Sequence, residues 1–212
     1  MPCFRMMHRR EMAAWCFSLL GSLMLCILLS AGLGWGRAQL DTGKVLASDT
    51  LRLHIRADTN SVLDQSVKLA VRDAVLTLLD DACPSGNKPE IRAWAAESLP
   101  RLELTARQTL TRFGIHTPVK ARLVNMYFST RHYAGTSLPA GRYDALRIDI
   151  GTKRAGRNWW CVLYPGLCRS ACGGYALPEE NDLICGDYIL RFRLVEWWNE
   201  HTAPRGDILL AE

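Results

Sequence analysis

Five cysteines beyond the N-terminal leader, residues 1–38, are the residues best suited to covalent chemistry. They are Cys83, Cys161, Cys168, Cys172 and Cys185. In an oxidising compartment, cysteines of a folded domain are expected to form disulfides. We predict the pairs Cys161–Cys168 and Cys172–Cys185, which leaves Cys83 as a free thiol. The first bridge would close a short loop and contribute roughly 2–3 kcal/mol of stability.

Two other chemistries would use the same sulfur atoms. A structural zinc site would need four thiolates, but only Cys168 and Cys172 have the short spacing of a zinc knuckle. A cysteine hydrolase would pair Cys161 with His54 or His132. No histidine pair has the spacing of a metal-binding helix motif. We therefore predict no catalytic residue, no metal ion, no cofactor and no small-molecule substrate.

A second set of candidates would bind a protein partner. Lys68, Arg72 and Asp73 lie on the polar side of a predicted helix, and the alternative is a solvated, self-paired helix face. Trp159 and Trp160 are adjacent in a predicted strand, so their side chains should lie on opposite sides. An outward-facing tryptophan favours a contact role, because its exposure to water is costly. These five residues are the predicted partner-binding site.

Periodicity predicts the elements that position these residues. Residues 50–57 alternate between apolar and polar side chains, which predicts a strand with Arg52, His54 and Arg56 on a solvated face. Helical spacing of apolar residues predicts a helix over 61–81, which begins with a capping box.

Later residues predict further helices and strands. Pro89 suits the start of the next helix, Pro100 should break it, and Gly114 should end the helical stretch. The remaining predicted elements are strands over 119–128, 142–150 and 187–195, a strand that contains Trp159 and Trp160, and a short helical end over 196–201. This order predicts an α+β fold, with a mostly antiparallel sheet packed against two or three helices.

The N-terminus has the pattern of a membrane segment. No residue from Met12 to Gly36 is charged, and Ala13–Leu33 is long enough to span a bilayer. Residues 5–10 carry three arginines and a histidine, which places the N-terminus in the cytoplasm and the rest outside. Cleavage after Ala38 would instead make the segment a signal peptide. Both alternatives stay open, and both make the folded part extracytoplasmic.

The predicted organisation has four parts. Residues 1–38 form a basic stub with the signal peptide or anchor, and 39–49 form a polar linker. Residues 50–200 form a single extracytoplasmic domain, and 201–212 form a tail. Removing the leader's four arginines and one acid from the totals of 26 and 21 leaves 22 basic and 20 acidic residues. A nearly balanced domain lacks the dense basic stripe of a nucleic-acid surface, so we predict no nucleic-acid partner.

Several motifs resemble those of the stage II sporulation protein R family. The most specific is Asn158–Cys168, which runs N-W-W-C-V-L-Y-P-G-L-C. The resemblance covers about 50–200 in order and includes the preceding membrane segment. The other motifs are Leu51-Arg52-Leu53-His54-Ile55, Asp64-Gln65, Lys68-Leu69, Val71-Arg72-Asp73-Ala74-Val75, Leu138-Pro139-Ala140-Gly141 and Tyr143-Asp144-Ala145-Leu146-Arg147.

The resemblance implies a signalling protein rather than an enzyme. Members of that family are made in the forespore and exported into the space between forespore and mother cell. There they activate a membrane-embedded aspartic protease that processes pro-sigma-E. This chain departs from the family pattern at Arg56, 58–60, Gly166 and 169–186. These departures affect what the resemblance implies about the polar loop and the cysteine pairing. The alternative function is an exported hydrolase acting at the septal cell wall.

Overall fold

The computed structural model describes residues 3–133, 136–166, 201 and 206–211. The chain divides into two compact units, Met1–Thr42 and Gly43–Glu212. Helix α1 extends over Cys3–Asp49. Within it, Glu11–Arg37 is long and apolar enough to cross a membrane, and a signal sequence near the N-terminus would have the same features. Most of its large apolar side chains are exposed, which is consistent with the predicted signal or anchor.

The end of α1 differs from the predicted polar linker. Residues 39–49 are helical, and those from Gly43 onward belong to the second compact unit. Leu46 is fully buried, and its carbonyl oxygen accepts a hydrogen bond of 2.7 Å from the Thr50 hydroxyl. The Lys88 ammonium also donates to the carbonyl oxygen of Ser48. Apolar burial and these two hydrogen bonds hold a segment whose composition alone indicates a linker.

Three further helices in the described part of the chain have the predicted start and stop signals. They are α2 (Val62–Ala82), α3 (Lys88–Glu97) and α4 (Leu99–Arg112). The Ser61 hydroxyl caps α2 by accepting a 3.0 Å hydrogen bond from the backbone N–H of Asp64. Pro100 lies in the first turn of α4, where its missing N–H costs nothing. Gly114 follows α4 with φ of +68°, as expected of a helix-terminating glycine.

The described residues form seven strands. They are β1 (Leu51–Arg56), β2 (Val119–Phe128), β3 (Arg131–Tyr133), β4 (Thr136–Leu138), β5 (Gly141–Ile150), β6 (Asn158–Tyr164) and β7 (Ile208–Ala211). Five form one sheet in the order β6-β1-β5-β2-β7, and β3 pairs with β4. Only β1 and β5 pair in parallel in this sheet. The predicted α+β class and mostly antiparallel sheet are confirmed.

Two predictions for the C-terminal region have different outcomes. The predicted tail contains β7, which pairs antiparallel with β2 and was missed at the sequence level because four residues carry little periodic signal. The predicted strand over 187–195 and most of the predicted helical end over 196–201 lie outside the described residues.

The sheet is buried on both faces at β1. Leu51, Leu53 and Ile55 lie on the helix-side face, where they join the main core with apolar residues of α2 and α4. Arg52 and His54 lie on the opposite, far face, and are 0% and 2% exposed. The prediction that their face is solvated was therefore wrong. Alternation determines which side chains share a face, but not whether that face is covered.

Candidate protein-interaction site

Trp159 and Trp160 lie on opposite faces of the sheet. In the antiparallel register of β6 and β1, Trp159 pairs with Ile55 and Trp160 pairs with His54. Trp159 therefore shares the helix-side face and packs against the main core. Trp160 shares the far face and packs against a smaller cluster that includes Phe128. Both indole rings are half-buried.

On the helix-side face, Arg72 connects α2 to Trp159. Its guanidinium carbon lies 5.4 Å from the centroid of the Trp159 ring. The same guanidinium lies 2.7 Å from a carboxylate oxygen of Asp73, whose side chain is 64% exposed. A cation over an aromatic ring at a partly exposed position is worth about 0.5–1 kcal/mol. Three of the five predicted partner-binding residues therefore form one cluster beside β6.

Lys68 belongs to this region but is not accessible. It is only 5% exposed, whereas the sequence placed it on the polar side of α2. Its ammonium donates hydrogen bonds to the side-chain oxygen of Gln65 at 2.7 Å and to the carbonyl oxygen of Arg157 at 3.1 Å. Burial lowers the pKa of Lys68, and the charges of Arg157 and Arg72 lower it further. Lys68 therefore positions the chain before β6 rather than offering a free charge.

Lys68 holds the β5–β6 loop, Gly151–Arg157. The hydrogen bonds that anchor this loop were not predicted from the sequence. The Asp58 carboxylate accepts a 2.6 Å hydrogen bond from the backbone N–H of Lys153. The Asn60 side-chain oxygen accepts one of 2.8 Å from the N–H of Arg157. The signal in the sequence that could have indicated this anchorage was a polar run immediately after β1, together with a glycine-containing loop of similar length before β6.

On the far face, Trp160 and His54 form a stacked pair. Their ring centroids are 4.0 Å apart and the planes are nearly parallel, at 10°. Phe128 meets the Trp160 ring edge-to-face at 4.9 Å. The Arg52 guanidinium lies 3.9 Å from the Phe128 centroid and 5.1 Å from that of Tyr143. This cluster is a packed structural element, so Trp160 contributes chiefly to the fold.

Burial determines the charge state of His54. It lowers the pKa of His54 to about 4 and outweighs the neighbouring Asn158 amide, which raises it. The positive charges of Arg56 and Arg147 lower the pKa further, whereas Asp149 raises it. Neither ring nitrogen has a hydrogen bond of normal geometry to the described residues. His54 is therefore a neutral aromatic group near pH 7.

Asp149 lies among three arginines on the far face, two from neighbouring strands and one from its own strand. Its carboxylate is 2% exposed and lies 2.8 Å from Arg56, 3.2 Å from Arg147 and 3.5 Å from Arg122. Arg147 also pairs with Asp207, just before β7. Charged groups that are buried away from water are stabilised by such charge partners. The network links β1, β2 and β5 and is structural.

The cysteines are only partly described. Cys16, Cys26 and Cys83 are free thiols, and burial raises the pKa of Cys83. Cys161 is not among them, and it is buried on the helix-side face. The remaining predicted bridge residues, Cys168, Cys172 and Cys185, lie outside the described residues. Both disulfides therefore stay predictions.

The enzymatic and metal alternatives gain no geometric support. Cys161 pairs with Leu53 and shares its face, whereas His54 lies on the other face, so a sheet layer separates them. The His132 side chain lies outside the described part of the chain. Within that part, no three His, Cys, Asp or Glu side chains are grouped so as to hold a metal ion.

The fold and site together define a small mixed-sheet domain that follows an apolar N-terminal helix in the chain, with a cationic and aromatic cluster beside one outer strand. A family model described as Stage II sporulation protein R matches residues 47–172. Stage II sporulation protein R of Bacillus subtilis (strain 168) is 31% identical over 176 residues, which cover 76% of this chain and 77% of that protein. No solved structure matches the chain. The chain belongs to the stage II sporulation protein R family and therefore has a role in sporulation.

Proposed function

We propose that this protein is an exported signal that activates a membrane-embedded aspartic protease, which then processes pro-sigma-E during endospore formation. The observation that carries the proposal is membership in the stage II sporulation protein R family. The protein would act by contact and would have no catalytic step of its own. Its site of action would be the space between forespore and mother cell.

The N-terminal helix supports the export part of the proposal. Glu11–Arg37 meets the length and composition of a membrane span, and a signal sequence would do so equally. Either form would deliver the domain across the forespore membrane. Cleavage would release it, and retention would leave it anchored at that membrane.

The cluster on the helix-side face supports the contact part. Arg72, Asp73 and Trp159 combine an exposed ion pair with a half-buried indole ring at an outer strand. Tryptophan and arginine are among the residues most enriched at energetically dominant positions of interfaces. We propose that this cluster meets the extracytoplasmic part of the protease.

Deletion of the gene tests the proposal directly. We expect pro-sigma-E to remain uncleaved in sporulating deletion cells, with the protease present at its normal level. Immunoblots of both proteins are the measurement, and expression of the intact chain from another locus should restore cleavage. Normal cleavage in the deletion strain would show that the proposed function is wrong.

A second experiment tests the contact cluster. Arg72→Ala and Trp159→Ala should each reduce cleavage by about thirtyfold, since a dominant interface residue is worth about 2 kcal/mol. The control is Leu104→Ala, which removes an exposed apolar side chain from α4 and should leave cleavage unchanged. Cleavage unchanged in both cluster variants would place the contact elsewhere.

A further inference from the structure

The β5–β6 loop carries three cations that the contact cluster does not use. Lys153, Arg154 and Arg157 are all exposed. Their side chains form no ion pair with any residue in the part of the chain that the structure describes. Residues 151–157 contain no acidic residue. The loop therefore presents three cations without ion pairs at the end of the sheet, and the Asp58 carboxylate on its backbone is the nearby negative charge.

The backbone of this loop is fixed from both sides. Besides the Asp58 and Asn60 side chains, the backbone N–H groups of Ala155 and Gly156 donate to the carbonyl oxygens of Asp58 and Ala57 at 3.0 and 3.1 Å. The N–H of Gly151 donates to the carbonyl oxygen of Pro118 at 2.8 Å. Glycine is required at two positions because neighbouring atoms lie close to the loop backbone. An added Cβ would lie 2.3 Å from a side-chain atom of Asp58 at Gly151 and 2.4 Å from a backbone oxygen at Gly156.

Within the fixed loop, Arg154 has a backbone conformation that L side chains seldom adopt. Its φ is +54°, in the left-handed region that favours glycine. Such a conformation persists in a non-glycine residue only where surrounding contacts determine it, and it occurs often at ligand-binding segments. Glycine would be the less strained choice at this position. Arginine therefore costs stability here while adding a charge at the tip of the loop.

We propose that the β5–β6 loop binds a cluster of carboxylates on the protein partner. This inference rests on the proposed function and adds a second contact to the one proposed for Arg72, Asp73 and Trp159. The three cations supply charge complementarity to an acidic segment. Fixed loop geometry favours a protein over a lipid surface, because attraction to anionic lipids needs only net positive charge and no set arrangement. The loop leads directly into Trp159, so both contacts can meet one partner.

Charge reversal in the loop tests the proposal. The full-length chain with Lys153→Glu and Arg157→Glu is expressed with the protease and pro-sigma-E, and cleavage is measured over time. We expect cleavage to slow by about tenfold, since opposed charges now repel the partner. The control is Arg101→Glu with Arg112→Glu, which changes net charge equally on exposed positions of α4 and should leave the rate within about twofold.

Arg154→Gly separates recognition from folding. Glycine adopts this backbone conformation without strain, so we expect a higher melting temperature. The substitution also removes the positive charge, so we expect slower cleavage. Full cleavage by the charge-reversed chain, at normal abundance, would overturn the inference and leave the proposed function intact. Normal cleavage in the deletion strain would instead overturn the proposed function itself, so the two failures are distinguishable.

A binding measurement identifies the ligand class. The probe is a fluorescent oligoglutamate peptide, added to the full-length chain in neutral detergent micelles. We expect salt-sensitive binding that the loop reversal weakens by about tenfold and the α4 control does not. Binding to micelles that contain phosphatidylglycerol is measured in parallel. If the loop reversal abolished only this binding and left peptide binding unchanged, the ligand would be a lipid surface and the proposal would be overturned.

Discussion

Trp159 and Trp160 are consecutive residues with different partners: the Trp159 ring lies 5.4 Å from the guanidinium carbon of Arg72, and the Trp160 ring stacks on His54 at 4.0 Å. The first pair is half-exposed on the helix-side face, and the second belongs to a packed cluster on the far face. Both rings are half-buried, and Trp159 is the one that we propose for partner contact, whereas Trp160 packs into the far-face cluster.

Alanine substitutions should separate these two roles. Trp160→Ala removes aromatic packing against His54 and Phe128, and we expect it to lower the free energy of unfolding by about 2–4 kcal/mol. Trp159→Ala should cost less stability but reduce pro-sigma-E cleavage more. Denaturant unfolding and cleavage are measured on both variants. Equal losses of stability would contradict the division of roles.

His54 should make stability depend on pH below neutrality. Its pKa is about 4 in the folded protein and near 6.5 when unfolded, so between these values only the unfolded chain binds the proton. Unfolding therefore becomes more favourable as pH falls, by up to about 1.4 kcal/mol per pH unit. His54→Phe keeps an aromatic ring on Trp160 and removes the titration. The same pH slope in both proteins would contradict the assignment to His54.

The Asp149 network should be a major stabilising feature of the far face. Asp149→Asn leaves the arginine cluster without its central charge, and we expect a loss of about 3 kcal/mol, because breaking a buried pair leaves uncompensated charges. Asp73→Asn breaks an exposed pair with Arg72 and should change stability by less than about 1 kcal/mol. Denaturant unfolding compares the two, and similar values would refute the distinction.

Gly156 should tolerate no side chain. An added Cβ would lie 2.4 Å from the carbonyl oxygen of Thr59, so Gly156→Ala must displace backbone and should cost about 1–3 kcal/mol. Gly86→Ala is the matched control, because its Cβ would meet atoms of the Glu90 side chain and no backbone atom. Thermal unfolding measures both. A larger loss at Gly86 would show that the loop accommodates the change.

Cys161 should matter through a disulfide and not through catalysis. If it forms the predicted bridge, Cys161→Ser should lower stability by roughly 2–3 kcal/mol under oxidising conditions and by less under reducing conditions. Activity should fall only as far as stability does. Mass spectrometry of the unreduced chain identifies the partner cysteine. Complete loss of function in a stable Cys161→Ser protein, regardless of redox state, would favour the hydrolase alternative.

The sequence by itself determined the family and most of the described elements, but not the helical end of α1 or strands β3, β4 and β7. Alternation predicted β1 and β5 to within a residue, and capping residues predicted the starts of the helices, because these signals are local. The Asn158–Cys168 motif is specific enough to indicate the family through its residue types and spacing. The N-terminal apolar run predicted a membrane segment or signal through its length alone.

Only the tertiary structure decided which polar residues are buried. Arg52, His54 and Lys68 occupy polar positions of regular patterns, yet all three are at most 5% exposed. The parallel pairing of β1 with β5 joins segments about 90 residues apart, and local periodicity carries no information about it. Burial and charge partners depend on what covers a face. That cover comes from residues distant in the chain, which only folding brings together.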